Sequence, residues 1–350
     1  MNEMTAMQRV LTALSGREPD RVPFFLLPTM HGARQLGMGI REYFSRAENV
    51  VEGQLRMRAR YGHDCLYPFF HAPLEVEAFG GEVIYVEDGP PNSGAPLVRS
   101  PEEILDLTPP RIQDTPCLQK VLTAISGLKH HAGDTVPIIG VAVSPFSLPV
   151  MQLGFERYLE IMHEREDLFR HLMRVNEAFC VQWANAQLQA GATAICYFDP
   201  VSSPTIIPIE KYEQSGFRVA CRTIAAINGP TATHFASGRA LGLAELLPET
   251  GTAIVGVGMD EDLADLKRAY GGKLSLIGNL NGITMRHWDR AECRRQVHRA
   301  IAAAAPGGGF ILSDSHGEIP WQVPEQVLQD ISEAVQELGR YPLSPTLGDV

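Results

Sequence analysis

Eight short apolar runs, each followed by a turn and then by residues in a helical pattern, constrain this chain more than any other feature of its sequence. The runs lie at residues 22–27, 64–70, 136–143, 193–198, 231–235, 252–257, 274–278 and 309–312. Most are continuously apolar instead of alternating, which suits parallel strands packed on both faces. Eight strand–helix units predict an α/β fold, a closed (β/α)8 TIM barrel spanning residues 1–350 as a single domain. A doubly wound open sheet is the alternative.

The helices between the runs are legible. Met7, Val10, Leu11 and Leu14 build an opening helix that Pro19 and Asp20 close. Residues 155–190 lack proline and predict one long helix or two. Residues 244–249 and 263–270 fit short helices, and Val327, Leu328, Ile331, Val335 and Leu338 mark the last one, ending before Gly339. The long stretch 71–136 between the second and third runs reads as an insertion near the pocket. In it, Gly80–Gly81 between two β-type runs predicts a hairpin turn, and the Gly- and Pro-rich loop 87–95 is expected to cover the pocket mouth.

Composition narrows the partners. A formal charge of −11 with no cluster of lysine and arginine argues against nucleic acid. No apolar stretch is long enough to span a membrane, and the polar, amphipathic residues 1–14 do not read as a signal peptide. The six cysteines (Cys65, Cys117, Cys180, Cys196, Cys221 and Cys293) are scattered without a CxxC pair. They read as reduced, buried thiols, so a cytoplasmic location is expected.

In such a barrel, polar residues at the strand C-termini converge on one pocket. Those positions hold His31, His71 and Ser144 after the first three runs and Asp199 after the fourth. His234 ends the fifth, Asp260 follows the sixth, Asn279 and Asn281 follow the seventh, and His316 with Glu318 follows the eighth. His316, Asp199 and Glu318 are the catalytic candidates; His31, His71, Ser144, Asp260 and Asn279 are expected to bind substrate or corrinoid. Asp199 could also cap the next turn, hold a cation or orient an imidazole. His234 and His316 are the metal candidates, with Asp199 or Glu318 as a third ligand, although no HExxH or CxxC spacing is present.

Several segments together resemble a known family: VLTALSGREPDRVP at 10–23, LEVEAFG at 74–80, GATAICYFDP at 191–200, HFASG at 234–238, LIGNL at 276–280, GFILS at 309–313 and HGEIP at 316–320. Their order and spacing resemble the uroporphyrinogen decarboxylase superfamily over nearly the whole chain, and within it the corrinoid-dependent methyltransferase branch. The resemblance implies a (β/α)8 barrel and a methyl transfer between a small methylated compound, or a one-carbon carrier, and cobalamin on a separate small corrinoid-binding protein. It also allows a homodimer.

Two departures qualify it. The porphyrinogen decarboxylases carry an arginine-rich segment after the first strand, whereas residues 30–34 here contain only Arg34. The thiol methyltransferases hold zinc through a His-x-Cys pair and a later Cys; here those positions are His234, Ala236 and His316. Loss of both thiolates makes zinc doubtful and fits demethylation of a small substrate better than thiol methylation. Decarboxylation of an acidic substrate and a non-catalytic corrinoid- or tetrapyrrole-binding barrel are the alternatives.

Overall fold

The computed structural model describes residues 3–343. A small antiparallel hairpin, β1 (Val83–Ile84) with β2 (Asn92–Ser93), stands apart from the main sheet. The main sheet is parallel, in the order β3 (Ile139–Val143), β4 (Ala194–Phe198), β5 (Thr231–His234), β6 (Ile254–Gly256), β7 (Ser275–Leu280) and β8 (Phe310–Asp314).

Two extended segments close this sheet into a barrel. Phe25 N–H donates to Leu312 O (2.8 Å) and Leu312 N–H to Pro23 O (2.9 Å), seating the first segment on β8. Asp64 N–H reaches Phe24 O (2.7 Å), and Ile139 N–H reaches Leu66 O (2.9 Å), seating the second between the first and β3. The runs at 22–27 and 64–70 therefore act as staves, yet only the bridges Phe24↔Leu312 and Leu66↔Ile138 have regular ladder geometry. Pro23 and Pro68 explain this, because proline has no N–H to offer a ladder.

Past Leu66 the second stave leaves β3, and side chains complete the abandoned edge. The Gln187 amide bonds both the N–H (3.0 Å) and the C=O (2.8 Å) of Val141, and the Glu75 carboxyl accepts from Val143 N–H (2.8 Å). A buried backbone donor without a partner would cost about 1–3 kcal/mol, so these two residues substitute for a missing strand.

Residues alternate across each strand. Phe25, Leu27, Cys65, Tyr67, Val141, Cys196, Ile277 and Ile311 fill the barrel. Phe24, Leu26, Leu276 and Leu312, with Leu66, Ala142 and Tyr197, pack outward under the helices. The opening helix, Ala6–Leu14, begins with a capping box between Thr5 and Gln8. Its Arg9 joins Asp20 and Asp64, and Arg21 joins Asp64, tying the helix to both staves beneath the barrel.

The 155–190 stretch forms two helices, Phe155–Glu164 and Glu166–Ala190, and residues 263–270 form the expected helix. Residues 244–249 do not form an α-helix; Leu247–Thr250 makes a single 3-10 turn there. Within 71–136 the expected turn at Gly80–Gly81 is displaced. Leu74–Ala78 is helical, Gly80 (φ 94°) ends it, and the hairpin instead turns through residues 85–91. The five residues 74–78 present Leu74, Glu75 and Val76 to the interior as one helical turn, a pattern too short to separate from a strand in sequence. Pro116–Ala132 then forms a long outer helix with Cys117, Leu118, Val121, Ala124, Ile125 and Leu128 buried.

Candidate active site

The parallel register sets Phe198, His234 and Gly256 side by side at the C-terminal ends of β4, β5 and β6. The His234 ring stacks on Phe198 with centroids 5.7 Å apart and planes 19° apart. It also lies across Gly256, where an added Cβ would stand 2.3 Å from His234 Cδ2. After β5 the chain turns through Ala236 in the left-handed region (φ 52°), so the Ala236 N–H donates back to His234 Nδ1 at 3.0 Å. Such a backbone costs a non-glycine residue about 1 kcal/mol or more, and here it fixes the tautomer. With Nδ1 accepting, the neutral imidazole carries its proton on Nε2. Burial, with His316 adding to it, pushes the His234 pKa down to about 4, so the ring is neutral at pH 7.

The turn after β8 brings the second group. Asp314 accepts from the N–H groups of His316 (2.9 Å) and Gly317 (2.8 Å). Gly317 adopts φ 82° and backs onto Phe198 and His234; a Cβ there would be 3.3 and 3.5 Å from them. His316 Nδ1 is hydrogen-bonded to the Ser237 hydroxyl from the β5 turn, while its Nε2 is buried without a partner. Burial lowers the His316 pKa, opposed by the charge of Asp260.

Glu318 accepts a hydrogen bond from Thr29 Oγ1 on the first stave. Burial raises its pKa to about 7 against that bond, and neighbouring Asp314 adds to the rise. Asp314 itself is raised to about 6 by burial, its backbone bonds opposing. The C-terminal end of the barrel thus carries neutral imidazoles on β5 and on the β8 turn, and on that same turn carboxyls whose pKa values burial raises toward neutral pH, groups suited to proton transfer.

The segment beyond, 320–323, is strapped over the mouth. His31 Nε2 meets Pro320 O at 3.1 Å, and Arg34 donates to the carbonyls of Val323 (3.1 Å) and Trp321. The Arg34 guanidinium also stacks 3.9 Å above the Trp321 ring. Gln322 Nε2 donates to Asp88 O (2.6 Å), joining the strap to the loop between β1 and β2.

The sequence matches the family model described as Uroporphyrinogen decarboxylase (URO-D) across residues 5–338. The chain belongs to this family. Its curated relatives include the uroporphyrinogen decarboxylase of Nitrosospira multiformis, 26% identical over 356 residues (95% of this chain, 94% of that one). That of Pelobacter propionicus is 28% identical over 352 residues (95% and 99%). Among solved structures, a methyltransferase from Methanosarcina mazei superposes with a TM-score of 0.81 at 20% identity, covering 96% of this chain and 99% of that one. A B12-independent methionine synthase from Shewanella sp. W3-18-1 gives 0.55 at 13% identity, covering 85% and 87%. At such identities these two likenesses speak for the barrel fold alone.

In this URO-D family member several expected site residues stand elsewhere. Asp199 and Ser144 do not face the pocket. Phe198 is the last inward residue of β4, so the next residue turns behind the wall. There Asp199 is caged by the hydroxyls of Ser144 (2.5 Å), Ser147 (2.7 Å) and Ser202 (2.5 Å). Burial raises its pKa and the three hydroxyls oppose the rise; the group holds the β3 and β4 loops together. Its side chain makes no cap bond to the turn that follows, and three serine hydroxyls occupy its oxygens.

His71 is also displaced from the mouth. It sits under the hairpin, 3.3 Å from the Tyr85 hydroxyl, and lines a separate small cavity with Glu75 and Trp183. Asn279 spends its amide on the carbonyls of Gly258 (3.0 Å) and Glu261 (3.2 Å), and Asn281 accepts from the N–H groups of Ile283 and Thr284. Asp260 is exposed, lines a cavity beyond β6 and β7 with Asn279 and Asn281, and opposes the lowering of His316 through its charge. His31 contacts the strap through Pro320.

The metal set does not fit zinc. Among the described residues no three His, Cys, Asp or Glu side chains converge as ligands. Asp199 is committed behind the wall, and the lone pair on His234 Nδ1 is taken by an amide. The described cysteines are unpaired and buried apart from half-buried Cys221, and no described helix is long and apolar enough to cross a membrane.

Asp314, Ser237, Thr29 and Glu75 are the contributors that sequence reasoning passed over. Asp314 carried a signal: a Ser-Asp pair at the end of an apolar run, directly before a Ser-His-Gly turn.

Proposed function

We propose that this URO-D family enzyme moves a methyl group from a small methylated compound to cobalamin carried on a separate small corrinoid-binding protein. The observation that carries the reading is the pairing of a neutral, proton-holding mouth with an arginine that is turned away. A substrate bearing many carboxylates calls for paired, bidentate guanidinium groups. Arg34, which alone occupies the segment after the first stave, is spent on Trp321 and Val323. Glu318, raised to about 7, is instead matched to protonating a leaving oxygen or nitrogen.

In such a transfer the corrinoid on its partner protein would supply the electron pair that takes up the methyl carbon. The bond between carbon and heteroatom breaks, and the heteroatom takes the Glu318 proton. His234, fixed with Nε2–H as donor, and His316 are suited to orient the substrate heteroatom. The names of the curated relatives support a second reading, decarboxylation of an acidic substrate.

Incubating the protein with cob(I)alamin and a panel of methylated ethers, amines and thiols separates the two. Methylcobalamin should appear in the visible spectrum, with kcat/KM falling above about pH 7 as Glu318 loses its proton. The E318Q variant should lose roughly 10²- to 10⁴-fold in kcat. Release of CO2 from a porphyrinogen without any methylcobalamin would replace this reading with decarboxylation. Tight corrinoid binding with neither reaction would reduce the chain to a binding barrel.

A further inference from the structure

The proposed reaction uses His316 and Glu318, and neither is on a strand. Both stand on a four-residue turn after β8, and something must hold that turn still. The interactions available are specific. Upstream, Ser315 N–H continues the ladder onto Leu280 O (2.9 Å); downstream, Ile319 N–H is bound to Leu27 O (3.0 Å). Between these anchors the backbone N–H groups of His316 and Gly317 have one acceptor, the Asp314 Oδ2 atom.

We propose that Asp314 is the positioning residue of this site, its carboxylate fixing the turn that sets where His316 and Glu318 stand. Asp314 is 2% exposed, so water does not compete for those two amides. Its other oxygen, Oδ1, is buried with no partner. A carboxylate kept in such surroundings for stability alone is a poor bargain, because an unpartnered buried acceptor costs about 1–3 kcal/mol. Its remaining neighbours are Cys65 and Tyr67 on the second stave and Glu318 itself, each feeling the charge of Asp314. The carboxylate therefore acts on the candidate acid twice, through the backbone of the turn and through like charge. Gly317 completes the device: at its left-handed φ a side chain would be strained, and a Cβ would press on Phe198 at 3.3 Å, so glycine lets the turn seat against the β5 histidine.

This inference rests on the reading of Glu318 as the acid, but its test does not depend on turnover. Asp314→Asn keeps an oxygen acceptor for the two amides and removes the charge; Asp314→Ala removes both. In the alanine variant the His316 and Gly317 amide protons should exchange with solvent roughly tenfold faster or more, read by 15N-edited NMR. In the asparagine variant those amides should stay protected, while the titration midpoint of 13C-labelled Glu318 falls below about 7, burial still holding it above the ordinary carboxylate range. Where methyl transfer is measurable, the alanine variant should lose roughly ten- to hundredfold in kcat with KM little changed, and asparagine should restore part of it.

Unchanged amide exchange in the alanine variant overturns the proposal. So do wild-type His316 and Gly317 amides that exchange as freely as solvent-exposed ones, which decides the matter alone if the alanine variant fails to fold. If the amides and the midpoint respond as stated but no methylated compound is turned over, the positioning role stands and the methyl-transfer reading falls.

Discussion

The contact between His234 and Gly256 offers a direct test of the site geometry through Gly256→Ala. The added methyl would lie 2.3 Å from His234 Cδ2, 2.7 Å from Cγ and 3.0 Å from Nε2, well inside van der Waals contact. Gly256 is not among the residues with positive φ, so alanine meets no backbone strain and the whole effect comes from the collision. The ring must swing off Phe198 and break its bond from Ala236 N–H. Overpacking of this kind costs about 1–3 kcal/mol, and the lost hydrogen bond about 0.5–1.5 kcal/mol. Together they give about 1.5–4.5 kcal/mol. A chain of 350 residues unfolds with an entropy near 0.7 kcal/mol per kelvin, at about 2.1 cal/mol/K per residue, so Tm should fall by about 2–6 °C. The imidazole, moved toward solvent, should titrate above its present pKa of about 4, read from its ring 15N signals. Gly39→Ala is the control, since nothing lies within 4 Å of a Cβ there and its φ is −72°. A Gly256→Ala protein with wild-type Tm and unmoved His234 signals would refute the placement of the ring.

Stability should peak near pH 6.5. Burial lowers His31, His71 and His234 to about 4 and His63 to about 3, so the unfolded chain binds more protons than the folded one as pH drops below 6.5, and stability falls. Burial raises Asp314 to about 6, Glu318 to about 7 and Glu75 to about 8; there the folded state keeps protons that the unfolded state has lost, so stability declines from pH 6.5 toward 8. Urea denaturation across pH 5–8 checks the shape, and a curve still rising at pH 8 would contradict it. Asp64→Ala should cost about 3–5 kcal/mol by leaving buried Arg21 without its carboxylate, seen as a lower denaturation midpoint; a loss below 1 kcal/mol would show that the network is dispensable. Gln322→Ala should cut the tie between the strap and the hairpin loop, raising KM by up to about tenfold with Tm unchanged; unaltered kinetics would make that contact incidental.

The barrel is legible because its strands are parallel and buried on both faces, which leaves eight short runs, most of them continuously apolar, in the sequence. The same property hid the phase of each strand. When inward and outward positions are both apolar, as Cys196 and Tyr197 are, nothing local says whether residue 198 or 199 looks into the pocket. Asp199 was singled out for its place after a strand, and a shift of one residue puts it behind the wall. The hairpin turn was misplaced for a related reason: two glycines between apolar runs serve a helix end as well as a turn. The two staves, in contrast, lost their ladders at Pro23 and Pro68, a consequence those residues already announce.

Beyond a strand end loop residues decide direction and alternation no longer applies. His316 and Glu318 reach the mouth because the turn after β8 is shaped locally, by an Asp two residues before the histidine and a glycine after it. His234 reaches it because a glycine on the neighbouring strand leaves room for its ring. In each case the candidate residue is set by a second residue that carries no chemistry of its own. Spacing within single motifs could point to the first kind. The second kind became visible only when β5, β6 and β8 were brought side by side. The same juxtaposition accounts for the metal reading. The alanine two residues after His234 lends an amide N–H to its Nδ1, and the imidazole so fixed is a hydrogen-bond donor through Nε2 and not a metal ligand through Nδ1.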